Sequence, residues 1–178
     1  MVRKLSIQEM ERLTPAEFLS AEKVPVTVVL DNVRSMNNIG SIFRTADALR
    51  IEHLCLCGIS ARPPHPDIHK TALGAEEVVS WSYHESTLEC VKALVARGYE
   101  VWCVEQAEGS VFLDEFADKV PLKPIALVMG NEVKGVDQAV IDTGHGCIEI
   151  RQYGTKHSMN VSVAAGIVMW EICKRYER

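Results

Sequence analysis

Short, nearly unbroken apolar runs separated by segments of helical periodicity constrain this chain more than any other feature. "VPVTVVLDN" from Val24, "HLCLCG" from His53, "YEVWCVEQ" from Tyr99 and "PIALVMG" from Pro124 are rich in valine, leucine and cysteine. Runs with little polar alternation are strands covered on both faces. "CIEI" from Cys147 is a shorter run of the same kind, and "TALGAEEVVSWSYH" passes from a short helix into a further strand. Between them lie amphipathic helices. In "NNIGSIFRTADAL", Ile39, Ile42, Phe43, Ala46 and Leu49 form one apolar stripe, with Arg44 on roughly the opposite side. "STLECVKALVARG" carries Gly98 where a helix C-cap is expected, and "SMNVSVAAGIVMWEICKRYE" closes the chain as a helix. Alternating strands and helices predict an α/β fold with a mainly parallel sheet flanked by helices. Ligands of such sheets bind outside the carboxyl ends of the strands. The loops after "VTVVL", "YEVWCV", "IALVM" and "CIEI" are therefore the ones to examine.

The bulk properties narrow the class. A chain of 178 residues, 47% hydrophobic, suits one folded domain, here 1–178 with a short helical leader over 1–24 and a core from 26 to 178. Ser6 and Glu9 have capping-box spacing, and Thr14-Pro15 reads as an N-cap followed by proline in the first turn. The formal net charge of −5 argues against non-specific nucleic-acid binding, although a local basic patch is compatible with it. No apolar run is long enough to span a bilayer, and "MVRKLSIQEMERL" is no signal peptide, so a cytoplasmic protein without a membrane partner is expected. The six cysteines form no CxxC pair and lie in apolar runs, as buried free thiols do.

Three loops carry the polar residues. Asn38 is well placed to cap its helix, and Gly40 permits close backbone approach. In "GNEVKGV", Gly130 and Gly135 bracket Asn131, Glu132 and Lys134. Glycines just past a buried strand leave room for a ligand, and the plain alternative is a turn with a solvated glutamate. Neither a P-loop nor a GxGxxG fingerprint is present, which removes the case for a nucleotide-binding oxidoreductase. In "IRQYGTKHSMNVSVAAG", Ser158 or Asn160 can cap the helix that follows, where Val161, Ala164, Ala165 and Val168 allow close packing. No G-x-S-x-G elbow supports a serine hydrolase. The proline-rich loop "ARPPHPDIHK" brings His65, Asp67 and His69 together without enough ligands for a metal, and no metal is expected.

In combination and in this order, "NNIGSIFRTADAL", "LVMGNEVKGV" and "SMNVSVAAGI" resemble the three motifs of the SpoU/TrmH family of RNA ribose methyltransferases, within the SPOUT superfamily. "KTALGAEEVVSW" is similar to the family as well, and the likeness runs from Val26 onward. The resemblance implies a deep C-terminal trefoil knot, a feature otherwise almost absent from proteins. It also implies S-adenosylmethionine bound in that knot, with S-adenosylhomocysteine as the product. A homodimer with its active site at the interface, and methyl transfer to a ribose 2'-hydroxyl of RNA, complete the picture.

By the same resemblance Arg44, Asn38, Glu132, Ser158 and Asn160 are the catalytic set. Asn38 would orient Arg44 or the substrate, and Glu132 is a natural partner for a guanidinium. Arg44 either accepts the hydroxyl proton or holds an RNA phosphate and stabilises developing charge. Val104, Glu105, Met129, Gly130, Ile150 and Met159 would line the cofactor pocket. Arg151 stands where the family often has proline, and Met159 where leucine is usual. The short leader implies no separate RNA-binding domain. RNA would then be held by Arg34, Arg62, Lys70, Arg151, Lys156 and His157 around the site, or by a partner protein. The substrate expected is tRNA, with a D-loop guanosine as the candidate nucleotide, and ribosomal RNA comes second. A catalytically silent RNA-binding protein of the same fold is the remaining reading, opposed by the intact polar set.

Overall fold

The computed structural model describes residues 2–6 and 8–176. After a 3-10 turn at Gln8–Met10 come α1 (Pro15–Ser20), β1 (Val24–Asp31), α2 (Met36–Ala48), β2 (Ile51–Cys57), α3 (Pro66–Ala72), α4 (Ala75–Val78), β3 (Trp81–His84) and α5 (Thr87–Ala96). Then follow β4 (Glu100–Val104), β5 (Val111–Phe112), α6 (Phe116–Lys119), β6 (Ile125–Met129), α7 (Gln138–Thr143), β7 (Gly146–Glu149) and α8 (Val161–Cys173). The strands form one seven-stranded sheet in the order β3-β2-β1-β6-β4-β7-β5, and every pairing is parallel. The expected mainly parallel sheet between helices is what the chain forms.

Two-residue periodicity divides the side chains of the sheet between two cores. Val26, Val28, Leu30, Leu54, Leu56, Ile125, Leu127 and Met129 point to the face covered by α2, α3 and α8. Val29, Cys55, Cys57, Val101, Cys103, Ala126, Val128 and Cys147 point to the face covered by α5 and α7, where smaller side chains let short helices sit close. All six cysteines are buried and outside any disulfide, five of them in this second core.

Local chemistry explains most boundaries. Thr14 and Glu17 make a reciprocal capping box at α1, and Gly98, at φ +86°, ends α5. Ser86 caps the start of α5 through Glu89 N–H. Gly40 is packed so closely against α3 that a Cβ there would lie 2.1 Å from Thr71 Oγ1 and 2.3 Å from the Ile68 carbonyl.

Several expectations are corrected. Ser35, not Asn38, caps α2, its hydroxyl accepting from Asn38 N–H at 3.3 Å. The proline-rich loop contains α3, which starts with Pro66 in its first turn and is capped by His65 Nδ1 accepting from Asp67 N–H. Three elements give no periodic signal because they are too short to have one: β5, α6 and α7. For α7 a local cue does exist, since Asp137 accepts from Ala139 N–H at 2.9 Å as its N-cap.

Candidate active site

The carboxyl ends of β4, β6 and β7 open onto a cavity of about 840 Å³. Its walls come from the segments after those three strands and from the residues leading into α8. Val104, Glu105, Met129, Gly130, Ile150 and Met159, the six positions expected to hold a cofactor, all line it. Glu132, Ser158 and Asn160 line it too. Its apolar wall, which also includes Ile148, Val161 and Ala164, faces the polar loop 131–134. That mixture and volume suit a nucleoside-sized ligand.

A polar relay ties the three sequence motifs together at the rim. Asn160 Nδ2 donates to Asn38 Oδ1 at 3.1 Å, and Asn38 Nδ2 donates to Glu132 Oε1 at 3.2 Å. Asn160 Oδ1 caps α8, accepting from Ser162 N–H at 2.9 Å and from Ser162 Oγ at 2.7 Å. Because Ser35 performs the capping of α2, Asn38 is left to bridge Glu132 and Asn160. Glu132 also accepts from the main-chain N–H groups of Arg34 and Ser35, at 3.0 and 3.1 Å. Burial pushes this carboxyl up, but hydrogen bonds from Arg34, Glu132, Ser35 and Asn38 outweigh it, and its pKa lies below the ordinary 4.5.

The glycines of the 130–135 loop act differently from expectation. A Cβ on Gly130 would lie 2.5 Å from Gly135 C, and one on Gly135 would lie 2.1 Å from Glu105 Oε2. The space they leave is filled by the protein itself. Glu105 then accepts from Val136 N–H at 3.1 Å and Gln106 N–H at 2.9 Å, fixing the loop around the cavity.

Sequence reasoning missed two residues that shape this site. Asn131 Oδ1 accepts from Val133 and Lys134 N–H while its Nδ2 donates to the Asn32 carbonyl at 2.7 Å. Gln106 Nε2 donates to the His157 carbonyl, tying the loop after β4 to the segment before α8. For Asn131 a signal was available, since an asparagine between glycines favours a side-chain-to-backbone turn.

Arg44 stands apart. It is exposed on the outer face of α2, and Glu132 is not its partner within the chain. It lines a second cavity with Arg12, Lys70, Thr71, Gly166 and Trp170. The six basic residues expected to meet RNA divide between different surroundings. His157 lines the first cavity and Lys156 is exposed beside it in sequence. Arg34 is exposed next to the Glu132 latch. Lys70 pairs with Asp67 at 2.6 Å, and Arg62 lies 4.1 Å over the Tyr83 ring. Arg151 is committed to Asp114 and Glu115 at 3.2 and 2.6 Å, with its guanidinium over Phe112, so its charge is already balanced. His65 and His69 are likewise engaged separately, the first as the α3 cap and the second with Glu76.

An open parallel sheet with such a cavity at its carboxyl edge, rimmed by an asparagine–glutamate relay, defines an α/β protein with its candidate ligand site where such sheets carry theirs. The family model described as SpoU rRNA Methylase family matches residues 25–170, and the chain belongs to that family. It is 30% identical over 159 residues to the 23S rRNA (guanosine-2'-O-)-methyltransferase RlmB of Vibrio parahaemolyticus, covering 89% of this chain and 63% of that protein. It is 29% identical to the tRNA (guanosine(18)-2'-O)-methyltransferase of Thermus thermophilus, covering 92% and 81%. Among solved structures, the Aquifex aeolicus TrmH/SpoU tRNA modifying enzyme matches with a TM-score of 0.79 at 26% identity, over 90% of this chain and 80% of that one. An AdoMet-bound rRNA methyltransferase from Sinorhizobium meliloti matches with a TM-score of 0.80 at 27% identity, over 94% and 62%. The chain thus spans less than two thirds of the Vibrio and Sinorhizobium proteins.

Proposed function

We propose that this chain transfers a methyl group from S-adenosylmethionine to a ribose 2'-hydroxyl of RNA, with a tRNA guanosine as the first candidate. Ribosomal RNA is the second reading, favoured by the likeness to the Vibrio 23S rRNA enzyme. The observation that carries the proposal is the convergence of the six expected cofactor positions on one cavity whose rim is the Glu132–Asn38–Asn160 relay. The apolar wall suits an adenine. The trefoil knot implied by the family resemblance belongs to this proposal.

When bound, the cofactor supplies a methyl already activated on a sulfonium. The chain's own work is to align a weakly acidic hydroxyl with that methyl and to help its proton leave. Asn38 fixes Glu132 and Asn160 relative to each other, so the rim is rigid before RNA arrives. Ser158 lines the same cavity. Arg44 acts by holding an RNA phosphate and stabilising negative charge.

Within one chain Arg44 and Glu132 line different cavities, and a second copy completes the site. Val163, Ile167 and Trp170 are exposed by 54%, 38% and 57% on α8, a helical stripe that also borders the Arg44 cavity. A homodimer across this stripe covers apolar surface and brings Arg44 to an interface. Thermal unfolding with added S-adenosylmethionine or S-adenosylhomocysteine tests cofactor binding directly. Ligand at a hundred times its Kd stabilises by about 2.7 kcal/mol and raises the Tm; an unchanged Tm at millimolar ligand contradicts the proposal.

A further inference from the structure

Away from the active site, the second core holds a cluster of sulfur and imidazole donors that the proposed reaction does not use. Cys55 on β2, His84 on β3 and Cys90 on α5 each place one donor atom within 4.8 Å of the other two. Both cysteines are buried and His84 is half-buried. A tetrahedral zinc site needs sulfur and nitrogen donors about 3.5–3.8 Å apart, given bonds of about 2.0–2.3 Å. The three donors meet that requirement by closing inward slightly.

The surroundings are those of a built site. Ser82 Oγ hydrogen-bonds His84 Nε2 at 2.9 Å and His53 Nε2 at 2.8 Å, and it points to Cys55 Sγ at 3.9 Å. His53 Nδ1 is in turn held by Ser80 Oγ at 2.9 Å. The His84 ring is therefore oriented through Nε2 by a hydroxyl that a second imidazole also holds. Cys57 is a further sulfur that interacts with Cys90. Charge favours a divalent ion as well. Two thiolates and a neutral imidazole around a dication make a neutral unit, which an apolar interior accepts at little cost.

We propose that Cys55, Cys90 and His84 form a binding site for a soft divalent cation of the zinc type, which ties α5 to the β2–β3 edge of the sheet. The only other set of three donors among the described residues, His69, Glu76 and Glu77, contains no sulfur. Cobalt(II) distinguishes the two, because only a thiolate site gives sulfur-to-cobalt charge-transfer absorption.

The test is titration of the full chain, reduced and stripped by chelator, with cobalt(II) alone and then zinc(II). One cobalt per chain is expected, with charge-transfer bands and the visible spectrum of a tetrahedral ion, displaced by zinc. Cys90→Ala should abolish or strongly reduce the charge-transfer bands. Ser82→Ala should weaken binding by about tenfold and His84→Ala, which removes a ligand, by more than that, with far-ultraviolet circular dichroism unchanged. If Cys90→Ala does not fold, His84→Ala decides the question. Wild-type protein that gives no charge-transfer band, or binding that is undiminished in His84→Ala, overturns the proposal.

Discussion

At the scale of single residues, the site is built by side chains released from ordinary duties. Ser35 caps α2, and so Asn38 can commit its amide to Glu132 and Asn160. Gly40 has the opposite character, because its importance lies in what is absent. Its place against Thr71 and the Ile68 carbonyl leaves no room for a methyl group. Gly40→Ala should destabilise the protein by about 1–3 kcal/mol through overpacking, read as a lower urea midpoint, since backbone on α3 must move. The glycine's close approach was legible in the sequence, and so was the exposure of Arg44, because both follow from position on a helix. That Glu132 binds main-chain N–H groups instead of a guanidinium was not legible. It depends on how the loop after β6 meets the start of α2, about a hundred residues away along the chain (Arg34 to Glu132 is a separation of 98).

At the scale of elements, the Glu132 latch joins the β6 loop to the N-terminus of α2, where a carboxylate also complements the helix dipole. Its folded pKa is lowered from 4.5. The latch therefore contributes its full stability above the unfolded value and loses it as pH falls through the folded one. The amide resonances of Arg34 and Ser35 should titrate together with a midpoint below 4.5, and Glu132→Gln should remove that titration. A midpoint above the ordinary carboxylate value would contradict the arrangement. For α8, the exposed stripe of Val163, Ile167 and Trp170 argues for a covering partner. Trp170→Glu should convert the proposed dimer to monomers in sedimentation velocity while leaving the fold intact, and the proposed methyl transfer should fall with it. Long strands and helices such as β1, α2 and α5 announce themselves by period. The two-residue β5 and the four-residue α6 do not, because tertiary contacts with β7 and the core decide them.

At the scale of the whole molecule, parallel pairing follows from strands whose runs are apolar on both faces, and this much was legible in the sequence. Strand order was not. The placement of β6 between β1 and β4 is a topological outcome, yet it is what sets three loops around one cavity. Five cysteines collect in one core for a similar reason, since alternation along β2, β4 and β7 faces four of them to the side closed by α5 and α7, and Cys90 meets them from α5. The cavity and relay are read as serving ribose methylation, with Arg44 supplying positive charge. The most direct test is incubation of the purified protein with methyl-labelled S-adenosylmethionine and either tRNA or ribosomal RNA, followed by nucleoside mass spectrometry. The expected result is a 2'-O-methylated nucleoside from one of these RNAs with wild-type protein, none with Arg44→Ala, and a reduced but measurable yield with Arg44→Lys. Label on a base, no label in either RNA, or full activity in Arg44→Ala would contradict it.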